Sequence, residues 1–120
     1  MPEAQTILAF DYGTQRIGVA VGQTVTATAR GLTTLQNKNH NLPDWQAIAA
    51  LLAEWQPALC VVGLPLQMDG GEQEMTRFAR RFANQLHGRF GLPVDTMDER
   101  LSSYEAEQIL AEKHRHHGYN

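Results

Sequence analysis

The sequence predicts a single α/β domain on a mixed sheet, with antiparallel hairpin strands first, parallel strands after them, and flanking helices. Three observations predict it. The stretch "ILAFDYGTQRIGVAVG" holds two apolar runs around a short polar loop, the pattern of a hairpin. The run "ALCVVGLP" is short and wholly apolar, as in a strand covered on both faces. On either side of it lies a segment whose apolar residues recur at helical spacing. The implied order is βββαβαβα, with the later strands joined by right-handed crossovers.

The first strand is expected over residues 6–11. A loop with Gly13, Gln15 and Arg16 turns the chain, Gly13 supplying a positive φ, and "IGVAVG" returns. Residues 25–35, "VTATARGLTTL", carry the β-branched and small residues of a third strand, and "QNKNHN" reads as a polar loop. In "PDWQAIAALLAEW", Trp45, Ile48, Leu52 and Trp55 share a helical stripe that Pro57 stops. Both tryptophans therefore read as core residues rather than base-stacking platforms. A second helix over residues 72–87 aligns Met75, Phe78, Ala79, Phe82 and Leu86, with Gly88 as its C-cap. "LPVDTM" supplies the fifth strand. "SSYE" offers a capping box, Ser102 with Glu105, opening a third helix with Ala106, Ile109 and Leu110 inward.

At 120 residues the chain is expected to be one domain, residues 1–120. No apolar run approaches the roughly 18–20 residues of a membrane span, and "MPEAQT" lacks the pattern of a secretory signal. The single cysteine, Cys60, rules out an internal disulfide framework, reads as a buried apolar residue and suits a reducing cytoplasm. The net charge of −3 argues against bulk attraction to nucleic acid, yet the charge is segregated. No acid occurs between Tyr12 and Pro43. Arg77, Arg80, Arg81 and Arg89 stand in a stretch without carboxylates, while acids gather at 69–74 and 95–107. Such a chain can hold an anion on one surface while staying acidic overall.

Sites in open α/β sheets form beyond the carboxyl ends of parallel strands. "FDYGT", "GLPLQMDGG" and "DERLSS" would reach that edge together, bringing Asp11 towards Asp98 and Glu99. Asp11 follows four apolar residues, where an unpaired buried carboxylate would cost several kcal/mol. Two readings compete. Carboxylates gathered in a partly buried cleft can be joined by Mg²⁺ or Mn²⁺, and two such ions about 4 Å apart would activate water and stabilise the leaving oxygen in phosphodiester cleavage. Alternatively, Asp11 starts a turn by accepting from the backbone of Gly13, while Asp98 and Glu99 are solvated loop charges.

"ILAFDYGTQRIGVAVG", "VVGLPLQMDGG" and "DERLSSYEAE" together resemble the YqgF (RuvX-like) family, bacterial proteins described as pre-16S rRNA nucleases and Holliday-junction-resolvase-like proteins. The resemblance runs from about residue 6 to 111. It implies an RNase H-like fold, divalent-metal nuclease chemistry and maturation of the 5′ end of 16S rRNA. On that pattern Asp11 matches the first-strand acid, and the acid of the "DER" motif falls on Asp98 or Glu99. Neighbours on a strand point to opposite faces, and Glu99 is preferred because its longer side chain can reach back over the strand edge. Family members usually continue with a basic loop and a final helix bearing another metal-binding aspartate. No residue of "AEKHRHHGYN" matches it, so the chain is expected to lack that helix, with weaker metal affinity and an apolar patch left for a partner.

Under this resemblance the expected partners are nucleic acid, either pre-16S rRNA or branched DNA, and ribosomal particles. No membrane is expected, and the protein is a monomer or weak homodimer. Arg16, near Asp11, is a candidate to hold a phosphate bidentately. Arg100 pairs with Asp98 or touches the scissile phosphate. Arg77, Arg80 and Arg81, on the helix face away from Phe78 and Phe82, are either a solvated face or a stripe that tracks a nucleic-acid backbone. Ser102 is a helix cap rather than a nucleophile, and His114, His116 and His117 lack the supporting shell of a metal site. Two other classes stay open. One is a non-catalytic RNA-binding or assembly module. The other is a lobe like the first phosphate-binding loop of actin/Hsp70-like ATPases, which "DYGTQRIGVAV" also resembles.

Overall fold

A computed structural model describes residues 5–23, 28–39, 41–66 and 71–98. Its elements are β1 (Thr6–Tyr12), β2 (Arg16–Gln23), β3 (Thr28–Gln36), α1 (Trp45–Trp55), β4 (Leu59–Leu64), α2 (Glu74–Phe90) and β5 (Val94–Asp98). The strands form one sheet in the order β3-β2-β1-β4-β5. β2 runs antiparallel to β1 and to β3, whereas β4 runs parallel to β1 and to β5. Strand β1 is therefore central, and the carboxyl ends of β1, β4 and β5 share one edge. This is the expected mixed α/β sheet of an RNase H-like fold, over seven elements in the expected order.

Alternation along the strands divides the apolar residues between two faces. Leu8, Phe10 and Tyr12 of β1, Ile17, Val19 and Val21 of β2, and Cys60, Val62 and Leu64 of β4 form one buried cluster. Ile48 and Leu52 of α1 and Ala79, Phe82 and Leu86 of α2 pack into it, so both helices cover the same face. Ile7, Leu59 and Val61 are buried on the other face, with Met97 against them. Leu59 to Val62 are all buried, which is why β4 reads as an unbroken apolar run.

Helix α1 starts where Asp44 Oδ1 accepts from the Ala47 amide at 3.2 Å, filling one of the unsatisfied donors of a first turn. It ends at Gln56, in the left-handed region, whose N–H donates to Leu52 O. Helix α2 is tied to the end of β4 by Thr76, fully buried, whose hydroxyl donates to Pro65 O and accepts from the Gln73 amide. It also runs further than its glycines suggest. Gly88 lies inside the helix, and Gly91, at φ 68°, is the cap that donates to His87 O. The extra turn seats Phe90 against Trp45, with ring centroids 6.2 Å apart. The expected third helix, with Ser102 and Glu105, lies outside the described residues, as do Glu99, Arg100, His114, His116 and His117.

Candidate active site

Asp11 is the penultimate residue of β1 and registers with Gly18 on β2 and Gly63 on β4. The same row continues to Thr34 on β3 and Met97 on β5. Phe10 and Tyr12, on either side in sequence, enter the helix-covered core, so Asp11 points to the opposite face. There it is exposed. The burial cost anticipated from its apolar run does not arise, because Asp11 itself is exposed while its sequence neighbours Phe10 and Tyr12 are buried. Both cross-strand neighbours are glycines, and no side chain on β2 or β4 covers the carboxylate in its own row. Among the described residues it makes no hydrogen bond or ion pair, so the turn onto the Gly13 backbone is not formed.

The loop after β1 is held from a distance. Asn37, one residue beyond β3, donates from Nδ2 to Gly13 O at 3.0 Å and to Thr14 O at 2.7 Å. Both contacts are acceptors, which fixes the NH₂ group as the end that faces them. The Asn37 amide donates to Gln15 O at 2.9 Å, and the Asn41 amide donates to Thr14 O at 2.7 Å. Gly13 does not adopt a positive φ, contrary to expectation. Its lack of a side chain serves close approach instead: a Cβ there would stand 2.7 Å from Arg16 O. "QNKNHN" read only as a polar loop, and nothing in it marked Asn37 as the residue that shapes the site.

Arg16 begins β2, exposed, and is paired with Gln36. It lies two residues from Gly18, hence on the Asp11 face. Asp98 ends β5 in register with Leu64, one step past the pair of Gly63 and Met97. Leu64 belongs to the helix-side core, so Asp98 is on the face opposite Asp11. The β5 position in line with Asp11 is Met97.

The α2 arginines do not form a free stripe. Arg80 Nε binds Glu72 Oε1 at 2.6 Å with both side chains about half exposed, a pair worth roughly 0–1 kcal/mol. Arg81 does not lie away from Phe78: its guanidinium sits 5.2 Å from that ring's centroid. It also approaches Tyr12, whose phenol is raised above its usual pKa by burial, with the Arg81 charge and hydrogen bond acting against the rise. Arg77 is exposed, on a helix that packs behind the sheet from Asp11. Trp45 stacks on Phe82, at 5.5 Å between centroids, under the Arg89 guanidinium, and Trp55 packs against the same core. Cys60 is buried and free, its thiol pushed up to about 12 by burial. No helix among the described residues is long and apolar enough to cross a membrane.

The sheet order, the helices on one face and an open acid on the central strand define an RNase H-like α/β protein. RuvC of T. thermophilus, solved in complex with a Holliday junction substrate, has a similar fold, with a TM-score of 0.51 at 15% identity over 80% of this chain and 66% of that one. The family profile described as "RuvX: Holliday junction resolvase" matches residues 5–119, and the chain belongs to this family. It is 57% identical to a Pectobacterium atrosepticum protein named "Putative pre-16S rRNA nuclease" over 109 residues, 91% of this chain and 78% of the relative. A Yersinia pestis protein of the same name is 59% identical over 109 residues, 91% of this chain and 77% of the relative.

Proposed function

We propose that this chain is a divalent-metal-dependent endonuclease that hydrolyses phosphodiester bonds at the 5′ end of precursor 16S rRNA or in branched DNA. The observation that carries this reading is Asp11, an exposed carboxylate on the central strand with a glycine beside it on each neighbouring strand. Its hard oxygen donors and uncrowded flanks fit a hydrated Mg²⁺, or Mn²⁺, which keeps several of its waters. Among the described residues no three His, Cys, Asp or Glu side chains gather, and Asp98 registers on the other face. Glu99, the next residue in the sequence and outside the described residues, is the member of the doublet we propose as second ligand.

When bound, such a metal supplies a Lewis acid and lowers the pKa of a coordinated water. Arg16, exposed on the Asp11 face, is the proposed bidentate partner of a substrate phosphate, with Arg100 as a second. Arg77, Arg80 and Arg81 belong to the helix-covered side and are not part of the proposed interface. The names of the relatives support precursor 16S rRNA as a partner, the family description supports junction DNA, and ribosomal particles are proposed as the setting in which the rRNA is met. The buried, unpaired Cys60 is consistent with a reducing compartment, and the proposed setting is the cytoplasm.

The test sets a precursor rRNA leader beside a four-way DNA junction, each with Mg²⁺ and with EDTA. Cleavage of at least one substrate with Mg²⁺, and of neither with EDTA, is expected. Cleavage that survives EDTA overturns the metal requirement. Salt-dependent binding without cleavage of either substrate overturns the enzyme reading in favour of an assembly module.

A further inference from the structure

The connection between β1 and β2, residues 13–15, is short, and its three carbonyls all point to one place. Gly13 O and Thr14 O accept from Asn37 Nδ2, Gln15 O accepts from the Asn37 amide, and Thr14 O also accepts from the Asn41 amide. Asn37 and Asn41 are themselves fixed by a tight turn. Lys38 N donates to Leu42 O and Leu42 N to Asn39 O, both at 3.0 Å, and Asn41 takes φ 64°. The clamp has a cost. The Asn37 and Asn41 amide oxygens are buried without a donor among the described residues.

We infer that Asn37 is a positioning residue: it locks loop 13–15 and so sets where Arg16 stands relative to Asp11. The inference rests on the nuclease reading for its consequence, since Arg16 is there the phosphate contact. The locking itself stands on the hydrogen bonds.

The experiment is a double-mutant cycle on binding of the precursor rRNA leader in EDTA, where no cleavage intervenes, with wild type, Asn37→Ala, Arg16→Ala and the double variant. Amide hydrogen exchange of residues 37 and 41, whose backbone N–H groups donate to the loop carbonyls, is followed in parallel. Asn37→Ala is expected to weaken binding about tenfold, but less than about twofold when Arg16 is already alanine, since residues that act through one another are not additive. Exchange at these two amides is expected to rise about tenfold while the rest of the sheet is unchanged. Equal losses in both backgrounds overturn the inference, as does unchanged exchange at these two amides. Asn37→Asp turns an oxygen towards two carbonyls and is expected to match the alanine variant; wild-type exchange in it also overturns the inference. If the wild type binds no RNA, the nuclease reading fails on its own, and the exchange measurement still decides whether Asn37 holds the loop.

Discussion

Gly18 faces Asp11 across the ladder of β1 and β2, and a Cβ built on Gly18 stands 3.6 Å from the Asp11 Cβ. That is ordinary van der Waals contact, so alanine fits. A longer side chain on Gly18 shares the Asp11 face and lies over the carboxylate. Gly18→Ala is expected to fold normally and keep most cleavage. Gly18→Leu is expected to lose about a hundredfold in rate by displacing whatever Asp11 holds, while its denaturation midpoint stays near wild type. Rate and urea denaturation measured together check this; a Leu variant with wild-type rate shows that the space over Asp11 is not used.

At Gly13 the same test has the opposite outcome. A Cβ would meet the Arg16 carbonyl at 2.7 Å, and a backbone oxygen bonded into a hairpin cannot swing aside as a side-chain tip can. Gly13→Ala is expected to cost about 1–3 kcal/mol, the range of overpacking. Urea denaturation reads it directly. A gain in stability, as expected when an unstrained glycine is replaced, would contradict the close approach.

Tyr12 links the site's strand to α2 and gives a signature at alkaline pH. Burial raises its pKa above 10.0, and Arg81 partly offsets the rise. Below the unfolded pKa both states hold the proton, and the full contribution to stability is present. As pH rises from there through the folded pKa, the unfolded chain loses the proton first, and the contribution is lost. Arg81→Leu is expected to move the Tyr12 titration, followed by ultraviolet absorbance, to still higher pH. A shift downward, or none, would show that the guanidinium does not act on the phenol.

Much of this fold was legible because its elements follow the two elementary periods. The apolar spacing of Trp45, Ile48, Leu52 and Trp55 marked α1, and the unbroken run from Leu59 marked a strand buried on both sides. The end of α2 was not legible. Gly88 and Gly91 both suit a cap, and the contact of Phe90 with Trp45, forty-five positions apart, decides between them. Asp11 was legible as the acid at a strand end but not as an exposed one. Ile7, on the same face as Asp11, is itself buried, so the apolar run does not say that this face opens by the time it reaches Asp11. Arg81 shows the limit of a helical wheel, since its long stem carries the charge back over Phe78 and towards Tyr12. Asn37 was out of reach, because its partners lie 23 and 24 residues earlier in the chain.

The most direct measurement compares wild type with Asp11→Asn in Mg²⁺-dependent cleavage of the precursor rRNA leader and the four-way junction. Asp11 is exposed and unpaired among the described residues, so the change is expected to leave stability within about 0.5 kcal/mol. Cleavage of whichever substrate the wild type cuts is expected to vanish, with the fold intact by denaturation. Equal cleavage by the asparagine variant would remove Asp11 from the chemistry and contradict the nuclease site proposed at this edge of the sheet.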